Sequence, residues 1–217
     1  MGYYLKSFSL FIVLTTLLIY CKRNDKVNNK AKTPVKKITP VNTPPAKARS
    51  SEILIQPFSD FPIAKAEYIK NEIKKIGLNT KLLPAIDLPA LAYYKPRNRY
   101  RADSLIDWLK RRVVNNQIIV GITSKDISAT KLPNPDSGIM GLGFVNGPAC
   151  VISTFRLHSN EQLRKTVLHE LGHNFGLDHC PVKTCYMRDF EGKNPLDQEK
   201  EFCPSCKKKL IMEGWVL

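Results

Sequence analysis

The residues from His169 to His179, reading HELGHNFGLDH, have the types and spacing that metal chemistry needs. On a helix, residues four apart stand one turn above another on the same side, so the imidazoles of His169 and His173 can hold one ion. Glu170 is offset from that pair by one position and reaches a water on the ion rather than the ion itself. Gly176 can take positive φ, which lets the chain turn sharply under the helix and swing His179 back as a third nitrogen ligand. Three protein ligands leave the fourth tetrahedral position of a zinc ion open to water, the mark of a catalytic rather than a structural site. Three of the four histidines of the chain fall in this window. His158, the fourth, has no such companions and reads as a surface or hydrogen-bonded histidine.

A second cluster follows directly. Of six cysteines, four come as two close pairs, Cys180-x4-Cys185 and Cys203-x2-Cys206. Two such pairs suit a structural zinc held by four thiolates. An exported chain could instead oxidise them to two disulfides. Either way they staple a segment with little apolar content of its own. Cys150 lies in an expected strand, where a small buried thiol is the default.

These residues need a scaffold. Ser159 with Gln162 three residues on resembles a capping box that starts a helix, and Leu163, Val167, Leu168 and Leu171 share its core face. Upstream, Ile53-Leu54-Ile55 reads as a strand, Ala64 to Ile76 as a helix stopped by Gly77, and Leu82 to Leu88 as a strand broken by Pro84. Asp103 to Val114 reads as a helix and Gln117 to Thr123 as a strand. Ile139 to Val145 and Ala149 to Thr154 flank Asn146-Gly147, a strong hairpin turn. The order β-α-β-α-β, hairpin, helix predicts an α+β domain over residues 51–217, with helices packed on a mixed, twisted sheet.

The first fifty residues are different in kind. In residues 1–21 one lysine, Lys6, precedes an apolar stretch from Phe8 to Tyr20 that ends at Cys21. That is the length of a signal peptide and too short to span a membrane comfortably. A cysteine directly after it resembles a bacterial lipoprotein signal, with Cys21 the lipidated residue, although Tyr20 stands where that signal usually has a small residue. Residues 22–50 carry nine Lys or Arg against Asp25 alone, a net of 9 − 1 = +8, with four prolines. They read as a disordered basic linker. With Lys6 the first fifty residues hold +9 of the total +15, so the high charge does not call for a nucleic-acid surface and no nucleic-acid partner is expected. The localisation that follows is extracytoplasmic: the bacterial cell envelope, lipid-anchored, or else signal-anchored or secreted.

HExxHxxGxxH followed by Cys180, four residues, Cys185, one residue, Met187, fifteen residues and Cys203-x2-Cys206 resembles the archaemetzincin family of the metzincin metallopeptidases. The fifteen-residue gap is slightly short for that family, which concerns a loop and not the ligands. The resemblance implies two zinc ions per chain. His169, His173 and His179 would hold the catalytic one, with Glu170 as general base and Met187 as the Met-turn residue beneath it. Cys180, Cys185, Cys203 and Cys206 would hold the structural one, giving a zinc-stapled C-terminal segment. It implies a peptidase acting on peptides or proteins, with aminopeptidase activity among the family's members, and a strand of the hairpin lying along the cleft; the chain is expected to be a monomer. The alternative is a non-catalytic zinc-binding envelope lipoprotein, against which the presence of Glu170 counts.

Overall fold

The computed structural model describes residues 51–190 and 194–217; the expected signal peptide with Cys21 and the expected basic linker lie outside the described residues. The chain forms β1 (Glu52–Pro57), α1 (Ile63–Lys75), β2 (Thr80–Leu82), β3 (Tyr93–Tyr94), β4 (Arg99–Arg101), α2 (Ala102–Leu109), β5 (Gln117–Thr123), β6 (Ile127–Lys131), β7 (Asn134–Ile139), β8 (Gly141–Gly143), β9 (Ala149–Ser153), α3 (Asn160–Asn174) and α4 (Pro204–Met212).

Five strands make one sheet in the order β2-β1-β5-β9-β8, parallel except for β8, which runs antiparallel to β9. Its inner strands β1, β5 and β9 are buried on both faces, and their successive side chains alternate between two cores. Ile53, Ile55, Val120, Ile122 and Ile152 pack with α1, α3 and the C-terminal segment. Leu54, Ile119, Ala149 and Val151 pack on the other side with Leu105, Ile106 and Leu109 of α2 and Ile127 of β6. Each buried Ile or Leu contributes about 1.5–3 kcal/mol. A one-residue slip would exchange the two sets, so the side chains themselves fix the register.

The hairpin turn lies where its signal stands, with Asn146 at φ 59°, but the strands around it are shorter than the sequence suggests. Ile139 closes β7, which belongs to a second sheet in the order β3-β4-β6-β7, and only Gly141–Gly143 pairs with β9. The second sheet was not anticipated. Its strand β7 reads NPDSGI, poor in β-formers. A charged lattice of side chains supports this sheet: Arg99 meets Asp126 at 3.1 Å and Asp136 at 3.4 Å, Arg101 meets Asp136 at 3.2 Å, and Arg156 pairs with Asp126. Two further corrections are small. The helix expected to reach Val114 ends at Leu109 and tightens into a turn over Lys110–Arg112, and Ile86 makes only a single bridge, to Phe58. Among the described residues no helix is long and apolar enough to cross a membrane.

Candidate metal centre

Helix α3 begins as its sequence dictates. The Ser159 side chain accepts a hydrogen bond from the Gln162 amide at 3.1 Å, but the Gln162 carboxamide oxygen reaches one residue further back than a capping box requires, to the His158 amide at 2.9 Å. His158 itself is exposed. Leu163, Val167, Leu168 and Leu171 face the core as expected, but the opposite side of the helix is buried as well. The sheet covers one side and the segment after the helix covers the other. The helix ends in a Schellman motif: the Gly176 amide donates to His173 O and the Leu177 amide to Gly172 O, both at 2.9 Å, with Gly176 at φ 87°. That turn carries His179 back toward the helix.

The ligand-capable ring nitrogens of His169, His173 and His179 all lie within 4.8 Å of one another. The Nε2 atoms of His169 and His173 are 3.1 Å apart. Two nitrogens each about 2.05 Å from a tetrahedral zinc would sit about 3.4 Å apart, so the pair is spaced for one ion. The other ring nitrogens are already engaged: His169 Nδ1 lies 2.6 Å from Tyr186 O and His173 Nδ1 lies 2.8 Å from Leu177 O. Donating Nδ1–H to a carbonyl leaves Nε2 as a lone pair, which is the tautomer a metal requires. Burial, with the neighbouring rings, holds His169 down to about 3 and lowers His173, so both are neutral donors at physiological pH. His179 is half-exposed, with Asp189 3.9 Å from its Nδ1.

Glu170 is buried beside these rings, and its burial pushes the carboxyl up to about 8. The Gly143 amide and the Lys131 charge pull it partly back. A cation held by the three imidazoles would lower it further. The carboxylate fits only because β8 is nearly bare: a Cβ on Gly141 would come within 2.5 Å of Glu170 Oε1. On the opposite side of the helix a Cβ on Gly172 would lie 2.5 Å from Met187 Sδ. Met187 is thus a fully buried floor against the helix, and its sulfur is spent on packing.

The rings open into a cleft of about 290 Å³ shared with β8, Lys131, Ile139, Asp178, Asp189 and Phe190. Phe190 packs against His169 with ring centroids 5.1 Å apart. The stretch Ile139 to Val145 was expected beside the cleft as a hairpin strand, whereas Lys131, Asp178, Asp189 and Phe190 were not singled out from sequence. Of the two hairpin strands considered for the cleft, β8 lines it and is the sheet's edge, whereas β9 is interior.

The four cysteines also come together, with their sulfurs within 4.8 Å of one another. They are free thiols. Cys180 Sγ and Cys203 Sγ are 3.7 Å apart, where a disulfide needs about 2.0 Å. Sulfurs about 2.3 Å from a tetrahedral zinc are about 3.8 Å apart, so the donor set fits that ion. Cys185 Sγ accepts from the Met187 amide at 3.5 Å and the Cys203 amide at 3.3 Å. Burial acts to raise the Cys203 thiol, but hydrogen bonds from the Cys206 amide and the neighbouring thiols prevail and bring it down to about 7. The segment that carries the cluster is less dependent on it than its composition suggests: Phe202, Leu210 and Trp215 are buried in the main core, the last two on α4 and just after it. Cys150 is a buried thiol on β9 and touches neither cluster.

The model of Peptidase family M54 matches residues 66–212. The archaemetzincin of Haloarcula marismortui is 33% identical over 140 residues, which cover 57% of this chain and 78% of that protein. That of Methanocaldococcus jannaschii is 28% identical over 175 residues, covering 75% and 94%. Among solved structures, archaemetzincin from Archaeoglobus fulgidus superposes with a TM-score of 0.63 at 29% identity, over 73% of this chain and 99% of that one. The Methanopyrus kandleri archaemetzincin gives 0.64 at 26% identity, over 78% and 97%. A likeness that runs from α1 to the end of α4, across both clusters, leaves one assignment: the chain belongs to Peptidase family M54 and is a zinc metallopeptidase of the archaemetzincin kind.

Proposed function

We propose that the chain hydrolyses peptide bonds with His169, His173 and His179 as the ligands of the catalytic zinc and Glu170 as the general base. The observation that carries this reading is the convergence of three imidazole nitrogens within 4.8 Å beside a buried carboxylate that faces the same cleft. When bound there, zinc supplies Lewis-acid polarisation of the substrate carbonyl and acidifies water. Glu170 takes the proton of the attacking water and delivers it to the departing amine nitrogen, acting first as base and then as acid. Its burial excludes competing solvent and strengthens its pull on that proton. Substrate backbone adds to the open edge of β8 in an extended conformation, which leaves side-chain choice to the cleft walls. Met187 is a floor beneath the rings and no ligand.

In this reading Cys180, Cys185, Cys203 and Cys206 hold a second, structural zinc. The chain works as a monomer outside the cytoplasm, tethered to the bacterial envelope through a lipid on Cys21, with residues 22–50 as spacer. The test is Glu170→Gln in zinc-loaded protein, with an unbiased peptide library as substrate. Loss of a general base lowers turnover by about 10²–10⁴-fold. Unchanged hydrolysis with zinc still bound would remove Glu170 from the mechanism. Absence of hydrolysis by the unsubstituted protein would leave the binding lipoprotein as the better account.

A further inference from the structure

We propose that Lys131 is the carboxylate-recognition residue of the cleft, and that the favoured substrates are peptides carrying a carboxylate within about two residues of the scissile bond. The proposal rests on the peptidase reading above and deepens it. Lys131 closes β6, where the β6–β7 ladder fixes its backbone opposite Asn134. It lines the same cleft as the three histidines and Glu170. A sphere of 290 Å³ is about 8 Å across, the span of two to three residues of extended chain, so a substrate reaching the rings also passes the ammonium group.

Two observations bear on this lysine. Like several other exposed lysines it makes no ion pair among the described residues, whereas Arg97, Arg99, Arg101 and Arg156 are all paired with Asp126 or Asp136, so its charge is left free at the cleft. Every other charged side chain besides the histidines that lines the cleft is an acid: Glu170, Asp178 and Asp189. An unpaired ammonium on one wall, among acidic side chains, gives the cleft a place apart from the metal ion where a substrate carboxylate is attracted rather than repelled. Asp178 and Asp189 come from the turn after α3 and the segment after Met187, and they bias that part of the cleft toward neutral or cationic groups. The carboxylate could be a Glu or Asp side chain or the free C-terminus.

The experiment uses the zinc-loaded full chain and matched peptides that differ only as Glu against Gln beside the cleaved bond. A second set compares free with amidated C-termini, to separate the two sources of carboxylate. The acidic member is preferred in kcat/KM by about fivefold, the size of one exposed charge pair. Lys131→Ala abolishes that ratio, Lys131→Glu inverts it and Lys131→Arg preserves it, and all ratios shrink as salt is raised. Peptide binding to the Glu170→Gln protein, followed by fluorescence anisotropy, gives the same ranking without turnover. Binding that discriminates while no peptide is cleaved would refute the peptidase reading and keep the recognition. Equal handling of the members of both sets, or ratios that ignore Lys131→Ala and Lys131→Glu, would overturn the assignment of Lys131.

Discussion

Replacing Gly172 by alanine sets helix propensity against the packing beneath the metal centre. Gly172 lies in the interior of α3, where alanine alone is worth about 1 kcal/mol of stabilisation. The structure predicts the opposite sign. The new Cβ would meet Met187 Sδ at 2.5 Å and Met187 Cε at 3.2 Å, against an ordinary contact near 3.8 Å. Met187 is fully buried, so the flexible end of its side chain must make the ~1 Å shift within a close-packed core. Overpacking of that kind costs about 1–3 kcal/mol, so the variant should lose up to about 2 kcal/mol in urea unfolding instead of gaining one. The displaced Met187 also drags its neighbour Tyr186, whose carbonyl holds the His169 ring at 2.6 Å. Loosening such a partner lowers metal affinity by about 10–100-fold, which a competitive zinc titration reads directly. In a Met187→Ala background the clash is absent and Gly172→Ala should recover its stabilising sign, giving a coupling of about 1–3 kcal/mol in the double-mutant cycle. A Gly172→Ala protein that is more stable than the parent and binds zinc equally well would refute the packing argument.

Two further outcomes follow from the same geometry. Cys185→Ser should lower the metal content from two ions per chain to one and reduce activity without touching a histidine, as measured by elemental analysis beside a peptide digest; two ions retained would sink the four-thiolate assignment. Glu199 is buried with both carboxylate oxygens unpartnered, and burial raises it to about 7 against the opposing charges of Lys165 and Arg188. A raised carboxyl keeps its proton in the folded chain after the unfolded chain has lost it. Its contribution is therefore full below the unfolded value near 4.3 and declines as pH rises toward 7, by about 3 kcal/mol. Glu199→Gln should flatten that decline in unfolding measured from pH 4.5 to 7.5, and an unchanged slope would show that Glu199 is not its source.

How much could be read in advance depended on whether an interaction was local. The i, i+4 histidines, the turn at Gly176 and the cap at Ser159 are set by neighbouring residues, and the structure places their atoms together. The continuous apolar runs of β1, β5 and β9 marked three strands of the main sheet for the same reason, while their parallel pairing shows only in the structure. The second sheet escaped because its cohesion comes from arginine–aspartate pairs tens of residues apart in sequence, such as Arg99 with Asp126 and Asp136, and no period in the sequence reports them. Helix α4 escaped because Leu210 and Trp215 are sparse among lysines; only the core they enter makes them apolar anchors. Lys131 is invisible from sequence, since one lysine among many gains meaning only from the cleft it reaches.

The two clusters are joined by a short run of backbone. Cys180 donates its amide to Met187 O at 2.7 Å, and the Met187 amide donates to Cys185 Sγ at 3.5 Å. Between those two bonds sits Tyr186, whose carbonyl orients His169 and whose amide is held by Glu201 O at 3.1 Å, two residues before Cys203. Among the described residues between 180 and 203 there is no helix or long strand, so the position of the Tyr186 carbonyl is set by these few bonds and by Met187 against Gly172. If an ion gathers the four sulfurs, it fixes both ends of that run at once, and the orientation of His169 becomes a property of the cysteine cluster as much as of helix α3. Damage to the thiols would then reach the catalytic centre as a rotated imidazole and a weakened metal, with α3 and its histidines still in place.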